Sequence, residues 1–248
     1  MATRSKAVQA KHRGRSKPPG EGQPLDEIPL WPQLKLDIVR RYGTAWSTIS
    51  SRQPGLAHYW IDGFIRSGTD GSTHEFVPGS ALNALLVTPP FRHHYLVNLD
   101  GQRSDALRHA VEGRADVTLF EGGGSRALLE EILPRVRQED YRRALCVLDP
   151  CAAALDWRVI EMAGRLRTVD LFVAIPAAGP DAGTPQALKR RLREDAGFAN
   201  VADPLPLRDG TGRVAAQLFF ASRNNMANGI VDDIFTTYRS AAPGDAGA

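Results

Sequence analysis

Four short polar stretches carry the residues in this chain that could do chemistry: Asp62 to Gly68, Asn98 to Asp100, Glu121 to Ser125, and Asp149 to Cys151. Each closes a run of apolar residues. The first, "WIDGFIRSG", places an acid, Asp62, before Gly63, Phe64 and Gly68, with Arg66 inside the turn. Glycines after an acid suit a loop whose backbone comes close to a ligand. Carboxylates such as Asp62, Asp100, Glu121 and Asp149 can accept charge-assisted hydrogen bonds from hydroxyls or hold a nitrogen for proton transfer. In an open parallel sheet, ligands bind outside the carboxyl ends of the strands. Four polar strand ends in order therefore point to a ligand cleft, whereas one alone would mark an ordinary exit into a loop.

Other chemistries fit less well. A dinucleotide site wants G-x-G-x-x-G after the first strand, and residues 63 to 68 read "GFIRSG". "GGGS" at 122 to 125 follows the third strand and opens a helix, so it reads as a turn with Ser125 as the cap, and secondarily as an anion site. The chain has neither G-x-S-x-G nor a phosphate loop ending in Gly-Lys-Ser/Thr. Of the six histidines, His93 and His94 alternate on a strand and so face opposite ways; His58 reads as a core-edge residue. Two cysteines, Cys146 and Cys151, make neither a disulfide framework nor a four-thiolate metal site.

The elements that must position these residues alternate. Strands are expected at 57–62, 93–100, 116–121, 144–149, 169–176 and 214–222. Helices are expected at 79–87, 101–112, 124–133, 156–166 and 184–197, with Pro134 ending or kinking the third of these. A preceding amphipathic helix, "LKLDIVRRYGTAWSTIS", puts Leu34, Ile38, Tyr42, Ala45, Trp46 and Ile49 on one face. Near-continuous apolar strands with helical crossovers imply a doubly wound, mostly parallel α/β Rossmann-like sheet of six or seven strands, covered on both faces.

Composition agrees with one globular α/β domain: 248 residues, 42% hydrophobic and 24% charged. The net charge of +3 is concentrated at the start of the chain. Residues 1 to 20 hold six Lys or Arg and no acid, which leaves 25 basic against 28 acidic residues elsewhere. We expect 1–22 to be a disordered basic tail, able to touch nucleic acid through phosphates. Residues 23–56 are expected to form a linker and the N-terminal helix, 57–240 the Rossmann-like domain, and 241–248 a second loose end. No apolar run reaches a membrane span, no secretory signal is evident, and a cytoplasmic location with no membrane contact is expected.

Six motifs in order, "LKLDIVRRY", "YWIDGF", "PGSALNAL", "YLVNLD", "VLDPCAAALDW" and "LFFAS", resemble the three-Cys-motif partner proteins, over about residues 34 to 235. The resemblance implies a class I S-adenosylmethionine-dependent methyltransferase-type fold. It implies S-adenosylmethionine as cofactor and, as protein partner, an iron–sulfur, radical-type protein with three clustered cysteines. Asp62, Phe64 and Gly68 match the family pattern after strand one, while Ile65, Arg66 and Ser67 depart from it. After strand two, Asn98 stands where the family carries the first of two acids and Asp100 holds the second. After strand three, Gly122-Gly123 replaces Gly-Asp. Asp149-Pro150 and Trp157 match, whereas Cys151 and Ala152 stand for an aromatic and a glycine. The cofactor residues implied are Asp62, Gly63, Phe64, Gly68, Asn98, Asp100, Glu121 and Gly122, with Asp149 orienting or deprotonating a polar methyl acceptor. The alternative is a catalytically degenerate binding partner that keeps the sheet as scaffold.

Overall fold

The computed structural model describes residues 30–65, 80–98, 105–150 and 155–241. The expected tail 1–22, most of the linker, Arg66, Gly68, Asp100, Cys151 and residues 242–248 lie outside them.

The chain opens with α1 (Leu30–Ser51) and β1 (Ala57–Ile65). It continues through α2 (Ser80–Leu85), β2 (His93–Asn98), α3 (Asp105–Val111) and β3 (Val117–Glu121). Next comes a composite α4: an α-turn at Gly124–Arg126, a π-helical turn at Ala127–Ile132 and a 3-10 turn at Leu133–Arg135. β4 (Arg142–Leu148), α5 (Trp157–Leu166), β5 (Val169–Pro176) and α6 (Pro185–Glu194) follow. The chain closes with β6 (Asn200–Val201), β7 (Leu205–Arg208), β8 (Val214–Ser222) and α7 (Asn225–Ala241).

All of the described strands belong to one eight-stranded sheet in the order β3-β2-β1-β4-β5-β8-β6, with β7 also paired to β8. β1 to β5 pair in parallel, and β8 runs antiparallel to β5, β6 and β7. The fold is therefore the mixed, mostly parallel Rossmann-like sheet expected of a class I methyltransferase-type domain. Two short strands, β6 and β7, raise the strand number above the expected six or seven.

Two buried layers hold the sheet. On one face Tyr59, Ile61, Cys146 and Leu171 pack under Leu128 and Ile132 of α4, Ile160 of α5 and Leu192 of α6. On the other, Trp60, Leu145, Phe172 and Phe220 pack under Ile38 and Tyr42 of α1 and Val231 and Phe235 of α7. Ala81 of α2 and Leu107 of α3 cover Leu96 on that side. Gly43 lets α1 approach the sheet, since a Cβ there would sit 2.9 Å from the Trp60 ring. Ile49, expected on the apolar face of α1, is exposed.

Three local expectations need correction. Ser125 does not cap its helix: Gly123 occupies the cap position in the left-handed region, with no side-chain capping bond. The helix after β3 is not regular, because its turn widens just before Pro134, whose ring has no N–H to give a continuing helix. A final 17-residue helix, α7, occupies 225–241. Its low-propensity sequence is held by Ala227, Val231 and Phe235, spaced four apart on the buried side.

Two buried histidines, His58 and His94, and the half-buried His93 give the fold a pH dependence. Desolvation lowers the pKa of His58, His93 and His94 below the ordinary 6.5. The unfolded chain therefore takes up these protons first as pH falls. Their contribution to stability is complete above about pH 6.5 and is lost on acidification toward the folded-state values. The melting temperature is expected to drop by several degrees between about pH 7.5 and about pH 5.5, and His94→Leu should flatten that slope. An unchanged slope in the variant would remove His94 from this account.

Candidate functional site

The order of strands reverses between β1 and β4, and the carboxyl edge at such a reversal is where a doubly wound sheet opens its cleft. Asp62 and Gly63 of β1 are level with Val147 and Leu148 of β4, and the Asp149 N–H donates to the Gly63 carbonyl at 3.5 Å. Side chains on a strand alternate, so Asp149, two residues beyond Val147, shares the face of Asp62. Both carboxylates thus stand on the α1 side of the switch point. Beyond Asp62 the register of β1 with β2 shifts before Ile65 pairs with Asn98, a bulge that bends the strand as it leaves the sheet.

α1 runs antiparallel to β1 and β4. Its far half reaches the amino edge, where the Tyr42 hydroxyl and Trp46 indole donate to Asp170 on β5 at 2.9 and 2.6 Å. Its near half therefore lies over the carboxyl edge and delivers Lys35 to Asp149, with which it forms an ion pair. The lysine side chain is 8% exposed and the aspartate 20%. Two charges so far out of water hold each other in one geometry, and removal of either leaves the other uncompensated.

The remaining expected residues sort clearly. Asp62 is 1% exposed and Asn98 is 0% exposed, so both lie beneath the rim. Asn98 pairs in register with Ile65 on one side and Glu121 on the other, and its carbonyl accepts the Gly122 N–H at 2.9 Å. Glu121 is gripped at both oxygens by the Arg108 guanidinium, one contact being 2.7 Å. Gly63 serves the core: a Cβ would come within 2.7 Å of Leu148 and 3.1 Å of Leu128. Gly122 is different. It heads three successive glycines with φ of 78°, 78° and 39°, and a Cβ on it would meet nothing within 4 Å among the described residues. Only glycine adopts such a run without strain, and it leaves open space against bare backbone at the end of β3.

The loop after Asp149-Pro150 rejoins the described chain at Leu155. Asp181, beyond β5, pins it there, accepting the Leu155 N–H at 2.7 Å and the Trp157 indole N–H at 3.2 Å. The Arg191 guanidinium covers the Trp157 ring at 3.6 Å from its centroid. Trp157 is therefore a fastener for the cleft wall.

The structure brings together Asp62, Gly63 and Asp149 at the switch point, and Asn98, Glu121 and Gly122 at the ends of β2 and β3. The Phe64 backbone lies in β1, while Gly68 and Asp100 fall outside the described residues. Lys35, Arg108 and Asp181 were not anticipated. Lys35 carried a faint signal, as a lone lysine among the apolar residues early in the amphipathic helix. Among the described residues no cluster of His, Cys, Asp or Glu is placed to hold a metal, and no helix is long and apolar enough to cross a membrane.

No protein-family model matches the chain, and no curated protein matches it in sequence. Solved structures do resemble it in fold. The protein LPL1258 from Legionella pneumophila superposes with a TM-score of 0.56 at 14% identity, over 83% of this chain and 91% of that one. A structure described as a candidate methyltransferase from Thermobifida fusca gives 0.48 at 14% identity, over 77% and 79% of the two chains. The 23S rRNA methyltransferase ErmE gives 0.42 at 11% identity, over 84% and 78%. At these identities the likeness is one of fold.

Proposed function

We propose that this chain is an S-adenosylmethionine-dependent methyltransferase acting on a polar acceptor, a divergent member of the three-Cys-motif partner family. The observation that carries the reading is the pair of carboxylates, Asp62 and Asp149, on one face of the β1–β4 switch point. The open backbone at Gly122 suits the adenosine end of such a cofactor, with Asn98 and Glu121 paired at the adjoining strand ends and Asp100, outside the described residues, assigned to the same end. Asp62, Gly63, Phe64 and Gly68 would line its methionine end. Bound there, the cofactor supplies a methyl group already activated on a sulfonium, which leaves the protein mainly a task of positioning. Asp149 orients the acceptor and takes its proton, and Lys35 fixes the direction of the carboxylate. Saturating S-adenosylmethionine or S-adenosylhomocysteine is expected to raise the melting temperature by about 5 °C or more. No rise with either compound would overturn the reading.

One observation favours a second reading, a binding partner of an iron–sulfur, three-Cys protein that has lost catalysis. The polar groups of the cleft are engaged internally, Asp149 by Lys35 and Glu121 by Arg108. On that reading neither cofactor form shifts the melting temperature, and the chain co-purifies with the partner expressed beside it.

A further inference from the structure

The opposite edge of the sheet carries a second concave site. A cavity of about 390 Å³ opens there, beneath the far half of α1, with Trp46 and Asp170 in its lining. Three arginines surround it from separate parts of the chain. Arg143 stands at the start of β4, Arg167 in the turn between α5 and β5, and Arg223 in the turn between β8 and α7. The topology explains the meeting, because the amino ends of β4 and β5 and the carboxyl end of antiparallel β8 share one edge.

The charges do not cancel. Several arginines elsewhere are neutralised by a neighbouring acid, among them Arg41 by Asp37, Arg114 by Asp116, Arg137 by Asp140 and Arg158 by Asp156. Arg143 and Arg167 make no ion pair among the described residues, and Arg223 donates only to the Gly197 carbonyl, at 3.0 Å. The lone carboxylate in the wall, Asp170, is already occupied by Tyr42, Trp46 and the Ser222 hydroxyl, the last at 2.5 Å. Arg143 is near enough to steady that carboxylate electrostatically, without a hydrogen bond to it. Asn224, also in the wall, accepts the Met226 N–H at 3.0 Å and so marks the start of the 17-residue α7, whose positive end faces this edge.

We infer that this cavity is a second ligand site, for a small phosphomonoester of about nucleotide size, set on the edge of the sheet opposite the proposed methyl-transfer cleft. Guanidinium forks match phosphate oxygens two at a time, and a polar cavity of this volume falls at the small end of ligand pockets. The site is separate from the proposed cofactor cleft, so its ligand and S-adenosylhomocysteine should bind together.

The test uses the full-length chain with cytidine 5′-monophosphate and ribose 5-phosphate, probes without the adenosine that the other cleft is proposed to hold. Calorimetry at low salt is expected to show saturable binding of both, weakened by added salt. The double variant Arg143→Gln/Arg167→Asn should bind at least about tenfold more weakly. Asparagine is chosen at 167 because that residue has φ of 60° and is left-handed. Arg143→Gln alone should fall between the two, and both variants should melt near the parent. Absence of heat with either probe, unchanged affinity in the double variant, or displacement by S-adenosylhomocysteine would each overturn the inference. Binding of an oligoribonucleotide with none of the mononucleotide would overturn it too, since the arginines would then belong to a nucleic-acid surface.

Discussion

Asp149→Asn is expected to lower methyl transfer to a verified acceptor at least about a hundredfold, the scale of lost acid–base assistance, while leaving cofactor affinity within a few-fold. The acid sits at the switch point with Lys35 holding it, and asparagine keeps the shape while losing both the charge and the basicity. The same change leaves the Lys35 ammonium, 8% exposed, facing a neutral amide. Stability should therefore fall by about 1–3 kcal/mol, less than for a fully buried pair because the aspartate is partly in water. Lys35→Met separates the two roles. Alone it should destabilise by a similar amount and reduce turnover through lost positioning. Combined with Asp149→Asn it should recover much of the stability and none of the activity, a coupling that a double-mutant cycle reads directly. Full turnover in Asp149→Asn would reduce Asp149 to a fastener between α1 and the sheet. Strict additivity of the two stability changes would show that the ion pair does not hold α1.

Gly164→Ala should cost more stability than any other alanine substitution of a described glycine, about 3 kcal/mol or more, and lower the melting temperature by roughly 10 °C. Gly164 lies inside α5, where glycine is ordinarily about 1 kcal/mol worse than alanine, so propensity alone would make this change stabilising. Packing reverses the sign. A Cβ there would overlap the Ala196 carbonyl oxygen and lie 2.9 Å from its carbon, in the turn between α6 and β6. Backbone cannot rotate away as a side chain can. At Gly63, by contrast, the obstructing atoms are the methyl ends of Leu148 and Leu128, which can yield. A calorimetric scan of Gly164→Ala decides the matter, and a melting temperature within a degree of the parent would mean that α5 does not rest on that turn.

What the sequence determined by itself was the alternation of elements and the order of the polar strand ends. β5 and β8 lie where their apolar runs predict, and Asp156 and Thr184 cap α5 and α6 from the positions such residues prefer. These are local properties, written in spacings of two and about four residues. α7 shows the limit: Ala227, Val231 and Phe235 are correctly spaced, but Gly229 and the Thr236-Thr237 pair argue against a helix until α1 and β8 are there to pack on. The π-helical turn before Pro134 likewise has no periodic signature. The meeting of Lys35 with Asp149, 114 residues apart, and the gathering of Arg143, Arg167 and Arg223 around one cavity were decided only by the tertiary structure. Charged side chains carry no period that reports their partners. Which lysine reaches which carboxylate, and which arginines are left without one, depends on the direction in which α1 crosses the sheet and on β8 running antiparallel, so that the ends of distant strands fall on the same edge.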